Sequence, residues 1–155
     1  MATQTDRAPY EAYAAIAGSF VGGLGLVAAL ARRSPPATAL DLVALSAATF
    51  KASRTLSREK VASFLRQPFV EGETALGEDE RPEGQGLQRA VGELLLCTRC
   101  VGTWSAAALA STQMLTPRFG RALTWTLAAG AANDFLHAAF TALCAKANEL
   151  EDGSR

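Results

Sequence analysis

The stretch Tyr10–Ala31, YEAYAAIAGSFVGGLGLVAALA, decides how the rest of the chain is read. After Glu11 it carries no charge, and its length matches the roughly 20 apolar residues that carry a helix across a bilayer. Arg32 and Arg33 follow it, and Pro35-Pro36 stop any helix there. A signal peptide is the rival reading, because Ala29-Leu30-Ala31 resembles a small-residue cleavage site. The apolar stretch exceeds the usual ~7–15 residues, however, and Asp6, Arg7 and Glu11 give the preceding region no positive excess. A retained span is therefore the better reading.

Three further stretches follow the first. Ala37–Leu56 is the weakest, with Asp41 near its start and Lys51 and Arg54 in its last turns. It reads as a spanning helix with a polar face, or as a shorter tucked helix. Val91–Leu115 has only Glu93 and Arg99 charged, both early, and Pro117 ends it. Arg121–Ala145 is apolar past its first residue except at Asn133, Asp134 and His137. Between the second and third stretches lies a polar region, 57–90. It opens with a candidate short amphipathic helix in which Val61, Phe64 and Leu65 fall at i, i+3, i+4, and it continues as a Glu/Gly/Pro-rich solvated loop. The expected architecture is a single all-α membrane domain over residues 1–155. It has about four transmembrane helices (10–31, 37–56, 91–115 and 121–145) and a cytoplasmic amphipathic helix and loop. A soluble helical bundle is the competing architecture, because Ala-rich segments score poorly as spans.

Composition narrows the classes. The 155 residues carry 15 Lys+Arg against 15 Asp+Glu, so no global field draws in nucleic acid. Apolar residues make up 49% but aromatics only 7%, so the apolar mass is largely Ala, Val and Leu. Three cysteines are too few for a disulfide framework. No P-loop, GxSxG or HExxH is present, and a single histidine leaves one centre for His-dependent chemistry. No complete catalytic set emerges.

Lys and Arg counts set the orientation. With four spans, one side holds Arg7, Lys51, Arg54, Arg58, Lys60, Arg66, Arg81, Arg89, Lys146 and Arg155. The other holds only Arg32, Arg33, Arg118 and Arg121. Positive-inside then places both termini and the long loop in the cytoplasm. If the second stretch only dips into the bilayer, the N-terminus moves outside. Trp125 falls at the far interface, where an amphipathic ring is favoured.

Ionisable groups within spans face a partner or water. The second and fourth helices both descend inward, and equal rise per residue puts Lys51 level with Asp134. The expected intramembrane polar cluster is thus Lys51 with Asp134, and Arg54 and His137 one turn further in. Its functional reading is a proton or ion relay. Its structural reading, a clasp between two helices, is favoured because one pair makes no path across a membrane. Asp41 is read as solvated near the outer interface. Ala14, Gly18 and Gly22 form a small-xxx-small face suited to close helix packing, within the chain or between two copies.

Cys97-Thr98-Arg99-Cys100 is the most chemical element. In a continuous helix Glu93, Cys97, Cys100 and Trp104 line one face. Three readings compete. As a redox pair, the two sulfurs cycle between dithiol and disulfide, with Arg99 nearby though pointing off the shared face. As a metal site for zinc or iron, the pair needs further ligands, for which Cys144, Glu93 and His137 are candidates. As small, reduced, buried residues, the cysteines only pack. A cytoplasmic-side placement argues against a permanent structural disulfide.

The run KASRTLSREKVASFLRQPF (Lys51–Phe69), then GLQRAVGELLLCTRC (Gly86–Cys100) with Trp104, then NDFLH (Asn133–His137), resembles a family of small YjcA-like bacterial membrane proteins. That family is catalogued as domain of unknown function 1360. The resemblance runs from about Asp41 to Phe140. It rests on Ser53, Arg54, Lys60, Val61, Arg66, Pro68, Phe69, Gly92, Glu93, Cys97, Cys100, Trp104, Asp134 and Phe135 as a set. Relatives often have Pro after the first cysteine, where this chain has Thr98. The resemblance implies a membrane protein and supplies no reaction.

The function expected from these residues is a structural or interaction role within a membrane assembly, in the bacterial cytoplasmic (inner) membrane. Partners are the bilayer and other membrane chains or a second copy, and no cofactor is required. The alternative is a thiol-redox or metal-binding protein using Cys97 and Cys100. Arg54, Lys60 and Arg66 form an expected inner-rim basic set facing anionic headgroups, each worth about 1 kcal/mol. Phe64, Leu65 and Phe69 are expected to bury shallowly beside them, and Glu93 to answer Arg54 or Arg66.

Overall fold

The computed structural model describes residues 10–31, 38–72 and 79–152. Arg7, Arg32, Arg33 and Arg155, which entered the orientation argument, and the expected helix stop Pro35-Pro36 lie outside them. The described chain is mostly helical: α1 (Tyr10–Leu30), α2 (Ala39–Arg58), a one-turn α3 (Ser63–Arg66), α4 (Gly86–Leu96), α5 (Thr98–Leu115) and α6 (Pro117–Asp152). A two-residue antiparallel clip, β1 (Val70–Glu71) with β2 (Arg81–Pro82), pins the ends of the polar loop together.

Each start and stop has a local cause. Thr38 caps α2, taking the Asp41 N–H on its hydroxyl while the Asp41 carboxylate accepts from the Thr38 N–H. Asp41 is therefore half of a capping box, not a solvated bystander. Pro117 opens α6, one residue after α5 ends. Gly120 allows this tight α5–α6 turn, since a Cβ there would run into the backbone of Thr112 and Gln113. The Gln113 amide then donates to the Thr124 hydroxyl at 2.7 Å, tying α5 to α6.

The expected single rod over Val91–Leu115 is two helices instead. The chain turns by 89° between α4 and α5, and Cys97, at φ −90° and ψ 97°, is the non-helical corner. The expected amphipathic helix after Ser57 is likewise broken, into 3-10 turns at Lys60–Ala62 and Gln67–Phe69 around α3. Pro68 in the second of these turns cannot donate to a helical ladder.

Among the described residues α1 is the one helix that is by itself long and apolar enough to cross a membrane. It lies near the N-terminus, where a signal sequence passes the same test. The bent α4–α5 pair reaches the same criterion when taken together.

The centre is built from α2, α5 and α6. Asp41 at the start of α2 lies within electrostatic reach of Arg121, and Lys51 further along it reaches Asp134, so α2 and α6 run in the same direction. Small residues dominate the contacts: Ala44, Ala48, Ser53 and Ser57 from α2, and Gly120, Thr124 and Ala131 from α6, with Val101, Ser105 and Leu109 from α5. Ala48 and Ala131 are fully buried, whereas Leu42, Val43, Leu136 and Leu143 are each at least 64% exposed. Many large apolar side chains therefore point outward, although Val101 and Leu109 of α5 are buried with the small residues.

α1 packs against α4 and α5 through Tyr13, Ile16, Ala17 and Phe20, and buries none of its residues fully. Phe20 meets Trp104 edge-to-face at 5.0 Å. The opposite face, with Ala14, Gly18 and Gly22, is exposed, and no other part of the described chain lies within 4 Å of where a Cβ would stand at either glycine.

Candidate functional site

Cys97 caps the N-terminus of α5, and its Sγ accepts the Cys100 N–H at 3.3 Å. The two sulfurs form a disulfide with their Cα atoms 5.2 Å apart. Neither cysteine is sealed: Cys97 is half-buried and Cys100 exposed. The expected single helical face through Glu93, Cys97, Cys100 and Trp104 is interrupted, because the helix breaks at Cys97. The break aims the Cys100 N–H, in the first turn of α5, at Cys97 Sγ, and negative charge on that sulfur is stabilised at such a helix start.

The corner still collects most of the expected partners. Cys100, Trp104, Glu93 and Leu94 face α1 across a cleft of about 430 Å³, with Tyr13, Ile16, Ala17 and Phe20 as the far wall. One end is polar. There the Glu93 carboxylate accepts from the Tyr13 hydroxyl and, at 3.2 Å, from the Arg89 guanidinium one turn earlier on α4. Glu93 therefore pairs with Arg89, not with Arg54 or Arg66 as expected. The i, i+4 spacing of Arg89 and Glu93 was the available signal.

The second group lies on the other side of the bundle. Lys51 Nζ donates to Asp134 Oδ2 at 3.1 Å and to Glu59 Oε1 at 2.7 Å. These groups, with Arg54, His137, Phe50 and Phe135, line a second cleft of about 420 Å³. Phe50 and Phe135 stack at 5.2 Å beside it. The structure thus brings Lys51 and Asp134 together and sets Arg54 and His137 at the same cleft, both exposed. Glu59 is the member that sequence reasoning missed. It sits just past the end of α2, where the chain turns back. The Lys51 ammonium donating to it holds its carboxyl below the ordinary glutamate value.

A metal set does not assemble. Cys97 and Cys100 lie at the α4–α5 corner, His137 faces the second cleft, and Cys144 is free and exposed on α6. Among the described residues no three His, Cys, Asp or Glu side chains converge to hold an ion. The expected ligands sit on elements that pack against different neighbours, and helical spacing alone cannot show this.

Arg66 departs furthest from expectation. It was placed on an open basic rim with Lys60, yet its side chain is 0% exposed. Its Nε and Nη2 grip the Glu80 carboxylate at 2.8 and 3.0 Å, and Nη1 donates to the Leu56 and Glu59 carbonyls at 2.7 and 3.3 Å. The guanidinium therefore closes the C-terminal end of α2, where a cation meets unpaired carbonyls and the negative end of the helix dipole. It cannot also hold a headgroup. Lys60 is exposed and has its own contacts within the chain. Of the three residues expected to bury shallowly, Phe64 and Leu65 are exposed, whereas Phe69 is half-buried against the fold. Gly92 explains part of this packing, since a Cβ there would strike the Phe69 carbonyl and Pro82.

The second cleft and the α4–α5 corner lie within the stretch matched by a known family, whereas α1, the far wall of the first cleft, lies outside it. The family model described as "Protein of unknown function (DUF1360)" matches residues 44–140, most of the chain, and this protein belongs to that family. No curated protein and no solved structure matches it.

Proposed function

We propose that this chain is a small integral membrane protein, a helical bundle whose role is structural or interactive within an assembly of membrane chains. The observation that carries this reading is the inverted side-chain distribution. Alanine, serine, threonine and glycine make up most of the α2–α5–α6 contacts, with Val101 and Leu109 the large exceptions, while many leucine, valine and phenylalanine side chains cover the outside. Exposing so many large apolar side chains to water is unfavourable at roughly 25 cal/mol per Å². Lipid removes that cost, and small residues then let helices pack by close approach. α5, with 18 residues, is about 27 Å long at 1.5 Å per residue, close to a bilayer's hydrocarbon thickness. The open Ala14–Gly18–Gly22 face supports contact with a second chain or copy. In this reading both termini and residues 57–90 face the cytoplasm. Membrane fractionation tests it: the protein stays with carbonate-washed membranes and leaves only with detergent. Release by carbonate refutes it.

One observation favours a second reading, that of a membrane thiol–disulfide centre. The CxxC pair sits at the first turn of a helix, with one sulfur exposed, and this arrangement supports reversible exchange. Single Cys97→Ser and Cys100→Ser variants separate the two. The purely structural role predicts normal assembly and normal function in both variants. The thiol role predicts normal assembly with function lost.

A further inference from the structure

The Cys97–Cys100 pair meets, through Cys100, a cleft whose chemistry is specific. Its walls are apolar and aromatic, with Phe20 and Trp104 edge-to-face at 5.0 Å. One end carries the Glu93 carboxylate, and Cys100 stands on the same cleft. Its volume of about 430 Å³ lies in the range of small-molecule sites, roughly 300–1,000 Å³. A thiol-exchange partner in water needs no apolar cleft. A ligand with a flat redox-active head and a greasy tail does.

We propose that this cleft takes the ring of a lipophilic para-quinone, and that the reduced Cys97–Cys100 pair passes it two electrons. The inference rests on the thiol–disulfide reading. Closing the S–S bond breaks both S–H bonds and releases two electrons and two protons together. A para-quinone accepts both pairs and becomes a quinol, whereas a one-electron carrier would leave a sulfur radical behind. The electrons enter the quinone ring, and the protons end on its two oxygens. Glu93, held by Tyr13 and Arg89, stands at the polar end of the cleft, where its carboxylate takes a thiol proton and passes it to a ring oxygen, so that both protons end on the quinol. The oxidised pair is reset by exchange with an external dithiol, which departs as its own disulfide. The ring lies against Trp104, and the tail leaves past Ile16 and Ala17 along α1, toward the side where α1 is exposed.

The test uses the full chain in detergent, in a Cys144→Ser background that removes the one free thiol among the described residues. The protein is reduced, freed of reductant and mixed anaerobically with a short-tailed para-quinone. The expected result is one quinol formed and two thiols lost per chain. Ala17→Phe, which fills the cleft from α1, lowers the ratio of quinone rate to dithiothreitol-exchange rate at least tenfold. Thr103→Phe makes the same test from the α5 wall should the first variant fail to assemble. If dithiothreitol reduces the pair normally but no quinol forms, the quinone proposal is overturned and the thiol reading stands. A ratio unchanged in the filled variants overturns the cleft as the site. A pair that dithiothreitol cannot reduce in the folded protein overturns the thiol reading itself.

Discussion

Replacing Arg66 by methionine keeps most of the side-chain volume and removes the guanidinium. The structure sets the size of the effect. Arg66 is 0% exposed, and the Glu80 side chain facing it is 7% exposed, so both charges are out of water. Removing one partner of such a buried pair costs about 3–5 kcal/mol. The Leu56 carbonyl also loses its donor, worth about 1–3 kcal/mol if it stays dry. Glu80 lies at the edge of a loop and can swing outward, so the two costs do not sum fully, and we expect about 3–5 kcal/mol in total. That is a fifth or more of the stability of a typical domain, about 5–15 kcal/mol. Arg66→Lys keeps the charge but loses the two-pronged grip and falls between wild type and Arg66→Met. Arg66→Met combined with Glu80→Met removes both charges and is less destabilised than Arg66→Met alone. The assay is reversible unfolding in mixed micelles followed by helical circular dichroism. Limited digestion with a glutamate-specific protease over residues 71–83 adds a local readout. Stability of Arg66→Met within about 1 kcal/mol of wild type, with unchanged cleavage, would refute the claim that this guanidinium closes α2.

Three further outcomes follow from particular contacts. Gly92→Ala places a methyl group against the Phe69 carbonyl and lowers stability by about 1–3 kcal/mol, read as a reduced melting temperature; an unchanged melt would mean that α4 shifts freely. Glu59 has a folded-state value below its unfolded one, so the folded state binds fewer protons and its contribution is present above the ordinary carboxyl range. That contribution disappears as pH falls through the folded value, and wild type loses more stability than Glu59→Gln on acidification from about pH 6 to 3. Equal losses would show that the Lys51 contact does not act on Glu59. A double-mutant cycle of Lys51→Met and Asp134→Asn gives a favourable coupling between α2 and α6, and additivity of the single variants would remove the clasp.

The helical character, the approximate limits of α1 and α2, and the meeting of Lys51 with Asp134 were legible in the chain, whereas α6, Pro117–Asp152, extends beyond the expected 121–145 at both ends. Each depends on regular helical rise and periodicity, which need no knowledge of neighbours. The Thr38–Asp41 capping box was legible as well, since its spacing is a local signature, yet Asp41 was read only as solvated. The α4–α5 corner was not legible. Glu93, Cys97, Cys100 and Trp104 satisfy helical spacing, and nothing local forbids a straight rod through them. Bringing α4 across the bundle requires Gly92 to meet Phe69 and the β1–β2 clip to hold the loop.

Composition and apolar run length alone determined that this is a helical chain with few charges, grouped where helices end. Which charge meets which was decided only in three dimensions. Arg66 looks like any rim arginine until Glu80 and the end of α2 close over it, and Glu59 joins Lys51 only because the chain reverses after α2. Helical geometry follows from the backbone of each segment, whereas pairing and burial depend on contacts between residues distant in the chain.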